Sequence, residues 1–200
     1  MKQLFLGTNN QNKVKELAKT LSSLGIKVIS PSKLQLDFDP PETGKTFADN
    51  AWQKAVAWAK QSKLPTLVED SGLCVDALDG QPGIHSKRFF EGSDKDKNQH
   101  VLKLLSSKVD RSAFYVCVMV FYDPNSKNKH VAEGKCYGQI SQTPKGNNGF
   151  GYDPIFIPDG FELTFGQLPA QTKQKISHRA KALALMLPFL QQWSNATFLS

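Results

Sequence analysis

The sequence predicts an α/β fold: a mixed twisted sheet flanked by helices, with two lobes and an active-site cleft between them. Short strands and amphipathic helices alternate in the first part of the chain, and a strand–turn–strand pattern dominates the middle. The chain has 200 residues, of which 40% are hydrophobic. That is enough to bury a core, so we expect a single domain over residues 1–200.

The first part of the chain predicts a strand, a helix and a second strand. The apolar run Gln3–Leu6 predicts a buried first strand. Apolar residues then recur at helical spacing from Val14 to Leu24, which predicts a helix ended by Gly25. Lys27–Ile29 predicts the second strand.

A second helix and a third strand follow the proline pair at residues 40–41. Thr46 is a good N-cap, and the apolar spacing after it predicts a helix to about Lys60. Thr66–Val68 predicts a short strand. We expect this strand to end at Glu69 and Asp70, with the next two residues turning the chain.

The middle of the chain predicts a helix and a hairpin. Ser93 is the expected N-cap of a third helix. Ala113–Tyr122 is apolar on both alternations, so it predicts a central strand covered on both faces. Val131–Tyr137 predicts the second strand of the hairpin. A glycine-rich loop is expected at Lys145–Asp153.

Two of the helices carry apolar residues that predict a buried face. The third helix should bury Val101, Leu104 and Leu105. The last helix is expected from about Ser177 to Trp193, with a kink at Pro188. Its inward-facing residues should be Ala180, Leu183, Ala184 and Leu187.

Composition and charge narrow the classes of partner. The net charge of +7 favours anionic partners, but the lysines are scattered and no zinc-finger or RNA-binding signature is present. We therefore expect no nucleic-acid partner. No stretch approaches the ~20 apolar residues of a membrane span, and we expect neither membrane association nor a signal peptide. Three widely spaced cysteines without a CxxC pair predict reduced thiols and a cytoplasmic protein.

The first candidate site is a polar run at a strand-to-helix junction. Backbone N–H groups at a helix N-terminus bind anions, and polar side chains there can donate to phosphate oxygens. A lysine in the first helical turn opposes the helix dipole, a conflict that a bound phosphate would remove. An asparagine-capped helix with exposed lysines is the alternative. The run comprises Thr8, Asn9, Asn10, Gln11, Asn12 and Lys13.

The second candidate site is a set of carboxylates. Glu42 follows two prolines, and Glu69 and Asp70 are adjacent. Neighbouring acids in a partly buried place repel each other, and a divalent cation would resolve that conflict. Mg²⁺ binds one or two carboxylates together with waters and substrate phosphates. A solvated acidic turn is the alternative.

The third candidate site is the glycine-rich loop. Three glycines within residues 146–151 allow a ligand to approach the backbone closely. Phe150 and Tyr152 offer flat faces for a base, Gly151 lies between them, and Asp153 offers an acceptor. The alternative is a flexible hairpin loop without a ligand.

The fourth candidate site is a basic segment at the start of the last helix. Ser177 is a plausible N-cap, which places His178 and Arg179 in the first helical turn, shortly after Lys173. Cations are again at the positive end of a helix, which favours anion recognition. A basic surface turn is the alternative.

Taken in order, these blocks resemble the inosine triphosphate pyrophosphatase family. Each block is weakly specific alone, but the ordered set spans the chain. The resemblance implies a mixed α/β fold with a long central sheet, a homodimer, Mg²⁺, and hydrolysis of ITP, dITP and XTP to a monophosphate and pyrophosphate. The resembling segments are TNNQNK (8–13), ETGKTFADNAWQKA (42–55), EDSGLCVDALDGQPGIHSKR (69–88), PKGNNGFGYDPIF (144–156) and KQKISHRAKAL (173–183).

The resemblance also implies roles for residues. Asp70 is similar to the family's catalytic acid–base residue and metal ligand, Glu42 to a second metal-associated acid, and Ser71 to a substrate contact. Residues 8–13 would hold phosphates. Glu69 stands where many relatives have aspartate. The remaining nucleotide contacts implied are Phe150, Gly151, Tyr152, Asp153, Lys173, His178 and Arg179.

Two other functions compete with this interpretation. A related pyrophosphatase for modified pyrimidine nucleotides would use the same phosphate and metal chemistry. A non-catalytic nucleotide- or RNA-binding module is favoured by the charge of +7 and by the aromatic residues. The acids Glu42, Glu69 and Asp70 argue against such a module, because they would repel a polyanion unless a metal intervened.

Overall fold

The computed structural model describes residues 2–196. Among these residues, six strands form one sheet in the order β2-β1-β3-β4-β5-β6. β1 pairs in parallel with β2 and β3, and β5 pairs antiparallel with β6, so the predicted mixed sheet is confirmed. The strands are β1 (Gln3–Leu6), β2 (Lys27–Ile29), β3 (Thr66–Val75), β4 (Ser112–Tyr122), β5 (Lys129–Ile140) and β6 (Phe156–Pro158).

Helices follow several of the strands, and three of the helices begin at caps that the sequence predicts, whereas the helix that begins at Ala170 was not predicted. The Asn10 side chain accepts hydrogen bonds from the first turn of α1, and Thr46 does the same for α2. Ser93 forms a full capping box with Asp96 at the start of α3. The helices are α1 (Gln11–Ser23), α2 (Phe47–Ser62), α3 (Asp94–Leu104), α4 (Ala170–Ile176) and α5 (His178–Asn195).

The predicted turn after Asp70 is wrong. β3 does not end at Val68 but continues through the two acids and Ser71 to Val75. Successive side chains of a strand point to opposite faces, so adjacent acids do not face each other. Each acid also has a lysine partner on a helix, Lys13 for Glu69 and Lys54 for Asp70, which permits its burial.

Two helix faces differ from prediction. Leu105 is fully buried, whereas Leu104 is 38% exposed, because only one of two adjacent leucines at a helix end can face the core. In α5, Leu183 is buried as predicted but Ala184 is exposed. Apolar residues surround most of α5, so spacing alone does not select its buried row. The buried row is Ala182, Leu183, Met186 and Leu190. Pro188 lies inside the helix, and its kink stays a prediction.

The described residues form two compact units. The first comprises the described residues up to Asp70, Val118–Glu133, and those from Ala182 onward. Its core contains a tilted contact between Phe5 and Trp58 with 5.4 Å between ring centroids. The expected active-site cleft stays a prediction.

The second unit comprises Ser71–Cys117 and Gly134–Lys181. Its core is built from β3, β4, α3 and the segment after the glycine-rich loop, with Tyr115 packed edge-on against Phe156. The three cysteines are buried, and no disulfide occurs within residues 2–196. Over the same residues, no helix has the length and apolar character needed to cross a bilayer.

Candidate active site

A single lysine joins two of the predicted acids in the first unit. Lys54 Nζ lies 2.6 Å from Asp70 Oδ1 and 2.9 Å from Glu42 Oε1. Lys54 and Asp70 are buried, with 8% and 6% exposure. The structure therefore brings Glu42 and Asp70 together around one ammonium group, that of Lys54, which is not among the predicted site residues.

The sequence does contain a signal for Lys54. Ala51, Ala55 and Trp58 form the buried row of α2, and Lys54 occupies a position in that row at helical spacing. A lysine on the buried face of an amphipathic helix requires a charge partner. That requirement predicts a buried acid facing α2.

Helix α2 also fixes the loop that carries Glu42. Asn50 Oδ1 accepts a hydrogen bond from the Gly44 N–H at 2.8 Å. Gln53 Oε1 accepts from the Thr43 N–H at 3.2 Å. The same helix therefore supplies Lys54 and holds the backbone next to its acidic partner.

The two partners have shifted pKa values in the same direction. Burial raises the pKa of Asp70, against the opposing attraction of Lys54. Burial acts to lower the pKa of Lys54, but the attraction of Asp70 and Glu42 outweighs it and the pKa is raised. Asp70 Oδ2 is buried and has no hydrogen-bond partner among residues 2–196. Asp70 thus has one fixed oxygen and one oxygen open to a proton or a cation.

Glu69 has a separate partner. Its Oε1 lies 3.0 Å from Lys13 Nζ, and the two side chains are 2% and 18% exposed. Lys13 is therefore not fully exposed, as it would be in an asparagine-capped helix whose lysines only face solvent. The pair connects the first turn of α1 to β3.

The polar run before α1 is largely engaged in local hydrogen bonds. Asn10 Oδ1 accepts from the backbone N–H groups of Asn12 and Lys13 at 3.0 Å and 3.3 Å. Thr8 Oγ1 accepts from the Asn10 N–H at 3.2 Å. Asn9 Nδ2 donates to the Phe38 carbonyl at 2.9 Å. The asparagine-capped helix start is thus present, and the role of residues 8–13 in phosphate binding stays a prediction.

The second unit brings three other predicted residues together near the ring of a fourth, Phe150. Lys173 Nζ lies 2.5 Å from Asp153 Oδ2, and both residues are buried. Lys173 Nζ is 4.6 Å and Arg179 Cζ 5.6 Å from the centroid of the half-buried Phe150 ring. Cations at such distances interact favourably with an aromatic ring. Phe150 is thus a planar group with positive charge close by.

The basic segment at the start of α5 is buried, so the surface-turn alternative is wrong. His178 and Arg179 are 4% and 3% exposed. The His178 ring stacks on Tyr115, with centroids 4.5 Å apart and planes at 8°. Ser177 Oγ accepts a hydrogen bond from the Ala180 N–H at 3.2 Å, as expected of an N-cap.

Tyr152 differs from Phe150 in its surroundings. It is 4% exposed, belongs to the core of the second unit, and donates from its hydroxyl to the Ser86 carbonyl at 2.9 Å. Its ring fills the core and does not offer the flat face that was predicted for it. Ser71 lies in β3 and is half-buried.

A family model described as the Ham1 family matches residues 4–189. The chain belongs to the Ham1 family. It is 42% identical to a protein of Leptospira interrogans named dITP/XTP pyrophosphatase, over 95% of this chain and 98% of the relative. The resemblance inferred from the sequence blocks is therefore confirmed.

Solved Ham1 structures have the same fold. The Ham1 protein of Staphylococcus aureus is 38% identical with a TM-score of 0.86, covering 96% of this chain and 100% of that chain. A HAM1 protein from Coxiella burnetii is 36% identical with a TM-score of 0.89, at the same coverages. The α/β fold with a mixed sheet and flanking helices is the fold of the Ham1 family.

The acids of this Ham1-family chain fit a magnesium ion that takes most of its ligands from substrate phosphates and water. Within residues 2–196, no group of three or more His, Cys, Asp or Glu side chains is arranged to hold a metal ion. Mg²⁺ needs only one or two carboxylates when substrate phosphates and waters complete its shell. Asp70 and the neighbouring Glu42 are the carboxylates that could hold such an ion.

Proposed function

We propose that this chain hydrolyses non-standard purine nucleoside triphosphates, namely dITP, XTP and ITP, to the monophosphate and pyrophosphate. The observation that carries the proposal is the buried Asp70 carboxylate, with Oδ1 fixed by Lys54 and Oδ2 without a hydrogen-bond partner among residues 2–196. The name dITP/XTP pyrophosphatase of the Leptospira interrogans relative supports the choice of substrate.

Asp70 acts as the general base. Burial raises its pKa, which brings the carboxylate closer to the strength that suits a base near neutral pH. Lys54 holds Oδ1, so Oδ2 is the atom that accepts a proton from the attacking water. Lys54 also compensates the negative charge of the acid pair before substrate arrives.

Glu42 and Asp70 are the residues that would hold Mg²⁺. When bound, the ion neutralises phosphate charge and polarises the phosphoryl group. Lys13, oriented by Glu69, and the positive end of the α1 helix dipole offer further positive charge to phosphate oxygens. Thr8 to Asn12 contribute polar contacts to the same phosphates.

The second unit contributes nucleotide contacts. The Phe150 ring offers a face for stacking a purine, and Lys173 and Arg179 increase its positive surroundings. The 6-oxo group of hypoxanthine and xanthine is an acceptor that adenine lacks. A donor from His178, Arg179 or the loop backbone would form a hydrogen bond with this acceptor. With ATP the same donor would be left unpaired, which would lower kcat/KM for ATP.

The test is pyrophosphate release from ITP, dITP, XTP, GTP, dUTP and ATP, with Mg²⁺ and with excess EDTA. We expect kcat/KM for dITP and XTP to exceed that for ATP by at least ~100-fold, because rejection rests on an unpaired buried donor. Activity should disappear in EDTA and return with Mg²⁺.

The matched control is Asp70→Asn protein purified in the same way, which reports any contaminating phosphatase. A preference for dUTP would establish the pyrimidine alternative, and nucleotide binding without hydrolysis would establish the non-catalytic one. Full turnover in excess chelator would refute the metal site. The proposal includes a homodimer in the cytoplasm, and a lone 22.2 kDa species in light scattering would contradict the dimer.

A further inference from the structure

Helix α3 holds both polar groups of one residue in the glycine-rich loop. Asp94 Oδ2 accepts a hydrogen bond from the Gly151 N–H at 2.7 Å. Asn98 Nδ2 donates to the Gly151 carbonyl at 3.1 Å. Asp94 and Asn98 are one helical turn apart, so a single face of α3 bonds to both sides of Gly151. We name these two residues the Gly151 clamp.

Between the first part of α3 and the loop, a cavity takes the place of close side-chain packing. Residues 142–149 are exposed. A cavity of about 490 Å³ lies beside the loop, lined by the first part of α3, Pro144, Pro154 and loop residues up to Gly151. Where space is open and packing is sparse, directional hydrogen bonds set the position of the backbone. The Gly151 clamp is therefore the main tie between α3 and this part of the loop.

Asn98 is placed in a way that does not favour stability. It is 3% exposed, and its Oδ1 is buried without a hydrogen-bond partner among residues 2–196. A buried unsatisfied acceptor offsets the gain from the bond that Nδ2 makes. Asn98 therefore gives the fold little net stability, and its clear structural effect is the position of Gly151.

Gly151 is adjacent to Phe150, so the position of the Gly151 backbone affects that of Phe150. Further hydrogen bonds in the loop hold the Phe150 backbone. The Phe150 N–H donates to Asp153 Oδ2 at 2.8 Å, and Lys173 Nζ lies 2.5 Å from the same oxygen. The backbone of Phe150 is thus held by Asp153, and the backbone of the next residue is held by the Gly151 clamp.

We propose that Asp94 and Asn98 are positioning residues for base recognition, which hold the Phe150 ring in the orientation that stacks on the purine. The inference rests on the proposed function. Neither side chain need touch the nucleotide. Loss of the clamp lets the ring sample other orientations, so nucleotide affinity falls while the hydrolytic groups Lys54 and Asp70 are unchanged.

The experiment is a mutant cycle with dITP as substrate, using Asn98→Ala, Phe150→Ala and the double variant. One hydrogen bond of this kind is worth a factor of about 2 to 12, so Asn98→Ala should raise KM by that factor with kcat unchanged. Phe150→Ala should raise KM by at least about 5-fold, the lower end for base stacking on an aromatic ring. Because Asn98 acts through Phe150, the double variant should match Phe150→Ala alone.

Gln99→Ala is the matched control, since Gln99 is exposed on the same helix. Asn98→Leu, which keeps the side-chain volume but lacks the donor, replaces Asn98→Ala if the latter melts early. Asp94→Ala should repeat the KM effect. Unchanged KM in the Asn98 variants, unchanged KM in Phe150→Ala, or additive effects in the double variant would each overturn the inference. Wild-type protein that does not hydrolyse dITP would instead overturn the proposed function.

Discussion

Replacing Lys54 by methionine tests the charge arrangement of the first unit most directly. Methionine keeps the length and apolar stem of lysine but removes the ammonium group that lies 2.6 Å from Asp70 and 2.9 Å from Glu42. The two acid side chains are 9% and 18% exposed, so water replaces the lost partner poorly. We expect the variant to fold with reduced stability.

The magnitude follows from the cost of an uncompensated buried charge. Removing one partner of a buried pair destabilises a protein by about 3–5 kcal/mol. In a 200-residue chain, 1 kcal/mol corresponds to about 2–4 °C, so Tm should fall by roughly 6–20 °C. Lys54→Met/Asp70→Asn should recover much of this loss, because a neutral amide does not require a cation.

The loss should also depend on pH with a definite sign. Burial already raises the pKa of Asp70, and the attraction of Lys54 opposes that rise. Without Lys54 the pKa rises further, and a raised carboxyl pKa gives stability that is lost as pH increases through the folded-state value. The Tm difference from wild type should therefore be larger at pH 8 than at pH 5.

The assay is thermal melting of wild type, Lys54→Met, the double variant and Lys60→Met at both pH values. Lys60 is the matched control, because it is an exposed lysine on the same helix. The reasoning is refuted if Lys54→Met melts within 2 °C (about 1 kcal/mol) of Lys60→Met at pH 8. It is equally refuted if the double variant is no more stable than the single one.

Three further predictions concern the site. Asp70→Asn should leave Tm unchanged or raised, since burial penalises the charge it removes, and should reduce dITP turnover at least ~100-fold in single-turnover assays. Lys13→Glu should weaken dITP binding and also lower Tm, because it sets a carboxylate against buried Glu69; calorimetry and melting curves with Lys13→Met for comparison measure both. Gly149→Ala, whose Cβ would collide with Asp153 Oδ2, should raise KM more than Gly151→Ala, whose Cβ meets no atom within 4 Å.

Local signals in the sequence are sufficient for much of the fold. β1 and β2 match their predicted bounds, and the N-caps Thr46 and Ser93 are in place. These features depend on residues within a few positions of each other, which is the range over which capping and apolar spacing act. The ends of β4 are also close to prediction, because its apolar run is long.

The strand through Glu69 and Asp70 could not be predicted by the same means. Two adjacent acids are typical of a turn unless each has a buried partner. The partners, Lys13 and Lys54, lie on α1 and α2, beyond the few positions over which local spacing acts. Tyr152 shows the converse. The sequence makes it a candidate nucleotide contact, yet its ring belongs to the core.

The two unsatisfied oxygens of Asp70 and Asn98 have a common physical meaning. A buried acceptor without a partner lowers the stability of the fold, so neither is explained by packing. In each side chain the other polar atom has a partner. Asp70 Oδ1 accepts a hydrogen bond from Lys54, and Asn98 Nδ2 donates one to the Gly151 carbonyl. In Asp70 the oxygen without a partner is the reactive atom. In Asn98 the functional group is the amide Nδ2 that donates to Gly151, and the lack of a partner for Oδ1 results from that placement. Local departures from full hydrogen bonding are expected where function and not stability determines the residue. Because the two side chains differ in this way, Asp70→Asn should reduce kcat and Asn98→Ala should raise KM, each with little loss of Tm.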